Sequence, residues 1–195
     1  VMLRLHQGGP KQVAEMLLSG EADIGVATEA LAEYAELVAL PSYRWTHAVV
    51  VPKGHPLAKH KSPTLKQLAA YPIVTYVFGF TGPSSLLEIF AKEGLVPNVV
   101  LTARDADVIK TYVRLGLGIG IVASMAIDPK EDADLVQIDT SHLFPTHTTW
   151  IGFRRGGLLR KYQLDFMQLF APHLTKRVIE RAAGAATQAD VDELV

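Results

Sequence analysis

The chain has 195 residues, 49% of them hydrophobic, a formal net charge of −1 and no cysteine. This excludes disulfides, thiolate metal sites and thiol nucleophiles, and it lacks the basic excess through which nucleic-acid modules neutralise phosphates. Apolar runs stay well below the roughly 20 residues of a membrane span, and no basic-then-apolar leader opens the sequence; a cytoplasmic globular chain with no membrane segment is expected.

Residues 2–6 alternate apolar and polar side chains and read as a strand already under way, which suggests that residues of the natural protein precede them. Residues 11–19 follow as a helix, with Pro10 in its first turn, a stripe of Val13, Met16 and Leu17, and Gly20 as its stop. A strand over 22–27 completes a βαβ unit, for which parallel pairing and a right-handed crossover are expected. Strands over 37–40 and 45–51 come next, then a loop over 52–56.

From Thr64 the pattern restarts. Thr64 suits the N-cap of a helix over 65–70; a strand over 71–76, a helix over 84–92 ended by Gly94 and a strand over 98–102 follow. Asp105 or Asp107 can start another helix, with Val108, Thr111, Tyr112 and Leu115 as its apolar stripe and Gly116 as its stop. Ile119–Ala123 is apolar on both faces, as in a strand covered on both sides. Gly116, Gly118 and Gly120 therefore come after a helix. A dinucleotide cradle needs its glycines between a strand and a helix, so these read as a cap and a close backbone approach.

A short piece over 124–127, a strand over 135–138 and a strand over 148–153 lead to a long helix over 158–170. Its stripe is Leu159, Tyr162, Phe166, Leu169 and Phe170. A helix over 175–183 precedes a small, acidic stretch expected to fray. The first unit has too few strands and the last long helix has no sheet of its own. The economical solution is a chain that leaves its first sheet near 45–51, builds a second domain and returns near 148–153. The expected fold class is α/β, with two Rossmann-like subdomains joined by two crossing strands. Residues 1–46 with 147–183 form subdomain I, 47–146 form subdomain II, and 184–195 are a flexible tail. Such a hinge favours a small-molecule cleft at strand ends.

Residues 78–85 run between a strand and a helix and offer free amides with the hydroxyls of Thr81, Ser84 and Ser85. They serve either as an anion site or as an ordinary N-cap, and local pattern leaves both open. Thr28-Glu29-Ala30, after another strand, presents the same choice. None of the seven histidines pairs at i, i+4 with a carboxylate, so no metal site is expected, and no cofactor either. Gly82-Pro83-Ser84-Ser85-Leu86 lacks the second glycine of a nucleophile elbow. The Glu131/Asp132 and Asp190/Asp192 pairs read as solvating charge, and Arg154-Arg155 with Arg160-Lys161 as a solvated helix entry. No base adjoins a nucleophile in the sequence, so an enzyme is not expected.

Leu5-His6-Gln7-Gly8, residues 21–30, residues 74–82, residues 105–117, Gly116-Leu117-Gly118-Ile119-Gly120 and Gly152-Phe153-Arg154-Arg155 together resemble the effector-binding domain of LysR-type transcriptional regulators. The likeness is to the CysB branch, which governs cysteine biosynthesis and sulfur assimilation, and it runs to about Ala183. It implies a fold like that of type 2 periplasmic binding proteins, N-terminally truncated here. It further implies promoter DNA bound through a helix-turn-helix domain not in this chain, a dimeric or tetrameric homo-oligomer, and a small-molecule inducer, N-acetylserine or O-acetylserine, or else sulfate or thiosulfate. By the same resemblance Thr81 and Gly82 present hydroxyl and amide to the ligand's anionic group. Thr28 and Gln7 face them, and Trp45 with Tyr43 line the hinge side. Two positions depart from the family pattern. Gly9-Pro10-Lys11-Gln12 replaces Ser-Pro-Thr-Gln, losing two hydroxyls and gaining a cation, and Pro83 stands where the family has Arg. A solute-binding protein of a transporter, which shares the hinged architecture, is the alternative.

Overall fold

In a computed structural model the described residues are 1–28, 31–77 and 85–195. Their elements in chain order are α1 (Pro10–Ser19), β1 (Gly25–Ala27), β2 (Leu37–Trp45), β3 (His47–Pro52), α2 (Leu65–Ala69), β4 (Ile73–Tyr76), α3 (Leu86–Lys92), β5 (Val99–Ala103), α4 (Ala106–Arg114), β6 (Ile119–Ala123), β7 (Leu135–Asp139), β8 (His147–Arg154), α5 (Lys161–Phe170), α6 (Lys176–Ala183) and α7 (Gln188–Asp192). They fall into two compact units, Val1–Arg44 with His147–Val195, and Trp45–Thr146.

The first unit is built on a three-stranded sheet in the order β1-β8-β2. Ala27, Leu37 and Ala39 pack with Ala14 and Leu17 of α1. The alternate residues Val38 and Leu40, with Ile151 and Phe153, meet Leu164 and Met167 of α5, Ile179 of α6 and Val191 of α7. Period-two alternation along β2 thus divides its side chains between two helical layers. The parallel βαβ unit expected here does not form. β1 pairs antiparallel with β8, Val26 opposite Ile151, so the strand that completes it comes from the far end of the sequence. Residues 2–6 join no ladder among the described residues, and Met2, Leu3 and Leu5 are exposed.

The second unit has a five-stranded sheet, β5-β4-β6-β3-β7. β4 is parallel to β5 and β6, while β3 runs antiparallel to β6 and β7. Val49, Val51, Ile73, Ile119 and Ile121 face Leu65 and Leu68 of α2 and Leu86 and Phe90 of α3. Val50, Val74, Tyr76 and Val122 face Ile109 and Val113 of α4. Strands covered on both faces read as the continuous apolar runs seen in the sequence.

Four further expectations are corrected. The strand expected over 45–51 is split: Trp45 ends β2 and β3 begins at His47. On α4 the buried face is Ile109, Lys110 and Val113, whereas Val108, Tyr112 and Leu115 face outward. On α5 the buried residues are Gln163, Leu164 and Met167, and Tyr162, Phe166 and Leu169 are exposed. Both helices carry two apolar stripes at i, i+3 or i, i+4 spacing, and the stripe without aromatic rings meets the sheet. Finally, the segment expected to fray forms α7, started by a Thr187–Asp190 capping box and anchored by the fully buried Val191.

Candidate functional site

In the second unit β4 is followed by β5 on one side of it and, after a crossover through α4, by β6 on the other. α3 and α4 pack on opposite faces of the sheet. The carboxyl end of β4 is therefore a topological switch point, where connections diverge and a doubly wound sheet opens a crevice. Polar contacts tie this end together. The Thr75 hydroxyl donates to the Ile121 carbonyl at 2.9 Å, and the Tyr76 hydroxyl accepts from the Ala123 amide at 3.3 Å. Ser124 N–H donates to the Thr46 carbonyl at 2.8 Å, and Gln137 Nε2 to the Ser124 carbonyl at 3.1 Å. Burial raises the Tyr76 phenol above its ordinary pKa despite that hydrogen bond, so it stays neutral.

The chain between β4 and α3 leaves from this switch point. Thr81 and Gly82, the residues singled out for an anionic group, lie outside the described residues, as do Ser84, Glu29 and Ala30. Ser85 is described, and its Oγ accepts from the Glu88 amide at 3.3 Å, making it the cap of α3. Trp45 stands at the end of β2, its ring 5.1 Å from that of His47, which is 5.5 Å from Phe144, so an aromatic run flanks the start of β3.

Gln7, Thr28 and Tyr43 belong to the other unit. Gln7 is exposed and Thr28, directly after β1, is half-buried. The Tyr43 hydroxyl donates to the Phe170 carbonyl at the end of α5, and its ring meets Phe170 edge-on at 5.4 Å. Its polar group is thus already committed, leaving the ring for contact. Tyr76 ends and His47 begins an apolar strand, so in the sequence both read as core.

Elsewhere the polar side chains hold structure. His55 Nδ1 accepts from the Leu57 amide, His142 Nε2 is 2.9 Å from the Pro63 carbonyl, and His173 Nε2 is 3.0 Å from the Pro41 carbonyl. Among the described residues no three His, Asp or Glu converge as metal ligands, and no helix is long and apolar enough to cross a membrane. A depression of about 400 Å³ beside α4 is lined by Asp107, Lys110, Arg114, Asp132 and Asp134, whose charges pair with one another.

The family model of the LysR substrate binding domain matches residues 1–175. The chain belongs to the LysR family. This LysR domain is 54% identical over 179 residues to the HTH-type transcriptional regulator SsuR of Burkholderia cenocepacia, covering 92% of the chain and 58% of that protein. It is 53% identical over 182 residues to the HTH-type transcriptional regulator CysB of Haemophilus influenzae, covering 93% and 56%. The crystal structure of the cofactor-binding domain of the Cbl transcriptional regulator superposes with a TM-score of 0.81 at 44% identity, covering 91% of this chain and 78% of that one. The LysR domain thus spans little more than half the length of the curated relatives it matches. Those relatives are named as transcriptional regulators, so neither the enzyme nor the transporter reading is favoured.

Proposed function

We propose that this LysR domain is the effector-sensing part of a cytoplasmic regulator of sulfur assimilation and cysteine biosynthesis genes, doing no chemistry of its own. The observation that supports the reading is the topological switch point at the carboxyl end of β4, at Tyr76. A carboxylate or sulfate-like anion there would be held by loop amides and the Thr81 hydroxyl, charge-assisted contacts stronger than neutral ones. The family resemblance is what assigns further polar contacts to Gln7 and Thr28 and apolar ones to Trp45 and Tyr43. The ligands proposed are N-acetylserine, O-acetylserine, sulfate and thiosulfate. Lys11 replaces part of the positive charge that Pro83 lacks. In the whole protein, promoter DNA is bound through a helix-turn-helix domain and the assembly is a homotetramer. Inducer binding would shift its population between states that space the DNA-binding domains differently.

Calorimetric titration with each of the four ligands tests this. One of them is expected to bind, and Thr81→Val to weaken it about tenfold, the value of one hydrogen bond to a charged group. Heat from none of the four sinks the ligand assignment. Unchanged affinity in Thr81→Val would instead move the anion contact to other residues.

A further inference from the structure

In the order β1-β8-β2, β2 has β8 on one side and an open edge on the other. Leu37, Ala39 and Pro41 turn their backbone polar groups to that edge, and each group meets a side chain or turn of its own unit. The Leu37 amide donates to the Tyr34 carbonyl at 3.0 Å, and the Leu37 carbonyl accepts from Arg155 Nη2 at 2.8 Å. Ala39 N–H donates to Gln188 Oε1 at 3.1 Å while Gln188 Nε2 donates back to the Ala39 carbonyl at 2.8 Å. The Pro41 carbonyl faces His173 Nε2, and proline has no N–H to offer. The Gln188 carboxamide therefore reproduces the two-bond exchange that a facing residue makes in a hydrogen-bonded antiparallel pair.

The segment carrying Gln188 is fastened on both sides. The Arg155 guanidinium reaches the carbonyls of Ala35 and Leu37 next to the edge and that of Ala185 ahead of α7. Val191 is fully buried in the helical layer.

We infer that the stretch from Gly184 onward is a strap that blocks, in cis, a strand-addition site on β2 for a second copy of this chain. The register makes the copy the fitting occupant. Ala39 facing Ala39 of another copy restores both bonds that Gln188 supplies, in a two-fold contact that closes on itself. Leu37, Val38, Ala39 and Leu40 are all buried, so an uncovered edge would present an apolar segment of a nine-residue strand, the kind that pairs with its like. The inference does not rest on the proposed function.

The test uses the whole chain with Gln188→Leu, which removes both bonds, and Gln188→Glu, which keeps an acceptor for Ala39 N–H but sets a carboxylate against its carbonyl. Sedimentation mass and hydrogen exchange at the Ala39 amide are followed over a concentration series. In Gln188→Leu the amide is expected to exchange about tenfold faster when dilute, consistent with loss of its one partner. It should regain protection as concentration rises and the mass climbs above wild type. An unchanged mass overturns the proposal, as does association that leaves the Ala39 amide fast, or an amide as protected when dilute as in wild type. Should Gln188→Leu lose its far-ultraviolet dichroism, Gln188→Glu decides by its mass alone, expected to rise above wild type; an unchanged mass overturns the proposal.

Discussion

Lys110 Nζ and Asp132 Oδ2 lie 2.9 Å apart with 8% and 3% of their side chains exposed, a buried ion pair joining α4 to the turn that precedes β7. Its remaining valences are filled. Lys110 also donates to the Ala126 carbonyl at 3.1 Å and Asp107 at 3.0 Å, and Asp132 accepts from Arg114 at 2.8 Å and the Asp128 amide at 2.9 Å. Removing one member of such a pair is costly because the other charge stays buried. Lys110→Met is expected to lower stability by about 3 kcal/mol, the low end for a broken buried pair because Arg114 remains. Urea denaturation checks it, and a loss under about 1 kcal/mol would show the network to be weakly coupled to folding.

The same carboxylate sets a pH dependence. Burial works to raise the Asp132 pKa, but the hydrogen bonds from Lys110, Arg114 and the Asp128 amide outweigh it and hold the group at about 2, below the ordinary 3.8. A depressed folded pKa means that the unfolded chain takes up the proton first. The contribution is therefore complete above about pH 4 and lost as pH falls through about 2. Asp134, lowered by Arg114, and Asp165, lowered by Lys176, add to the same acid limb. Stability measured from pH 5 to 2 should fall less steeply in Asp132→Asn than in wild type; equal slopes would mean that Asp132 does not carry the limb.

Elements whose signal is local were legible in the sequence. The N-cap at Thr64, the proline that opens α1 and the glycine after α4 announce those helices because the chemistry lies within a few residues. What depends on distant pairing was not. Nothing near Gly25 shows that its partner is Gly152, and nothing near Ala39 shows that Gln188 will serve its edge. Ile109 and Val113 compete with Val108 and Tyr112 for the inside of α4, and the sheet decides between them. Of the candidate site, the end of β4 at Tyr76 was legible from the strand signal itself, while Thr81 and Gly82 lie outside the described residues. The burial of Tyr76 was not, since only the strands beside it create that environment.

The glycines of Gly116-Leu117-Gly118 should differ in their tolerance of a side chain. A Cβ on Gly118 would stand 2.3 Å from the Pro72 carbonyl oxygen, itself held at 2.8 Å by the Ile119 amide, so backbone must move. Gly116 has open space but a φ of +78°, where only conformational strain opposes a side chain. Gly118→Ala is expected to cost about 3 kcal/mol or more, and Gly116→Ala about 1 kcal/mol. Thermal unfolding of both ranks them, and the reverse order would refute the close approach at Pro72.

The outward stripe of α4 offers a test of assembly. Val108, Tyr112 and Leu115 are 39%, 38% and 74% exposed at i, i+4 and i+7, an apolar face that the sheet does not use. In the homo-oligomer proposed above, covering such a face is a gain, since each large side chain removed from water contributes about 1.5 to 3 kcal/mol. Tyr112→Glu replaces one of them with a charge whose burial in a subunit contact is unfavourable. Its self-association constant, measured by sedimentation, is expected to fall at least about tenfold, the equivalent of about 1.4 kcal/mol. The midpoint of thermal unfolding of the dissociated chain should stay where it is, because Ile109 and Val113 rather than Tyr112 hold α4 to its sheet. A Tyr112→Glu chain that associates as wild type does would place the subunit contact away from α4.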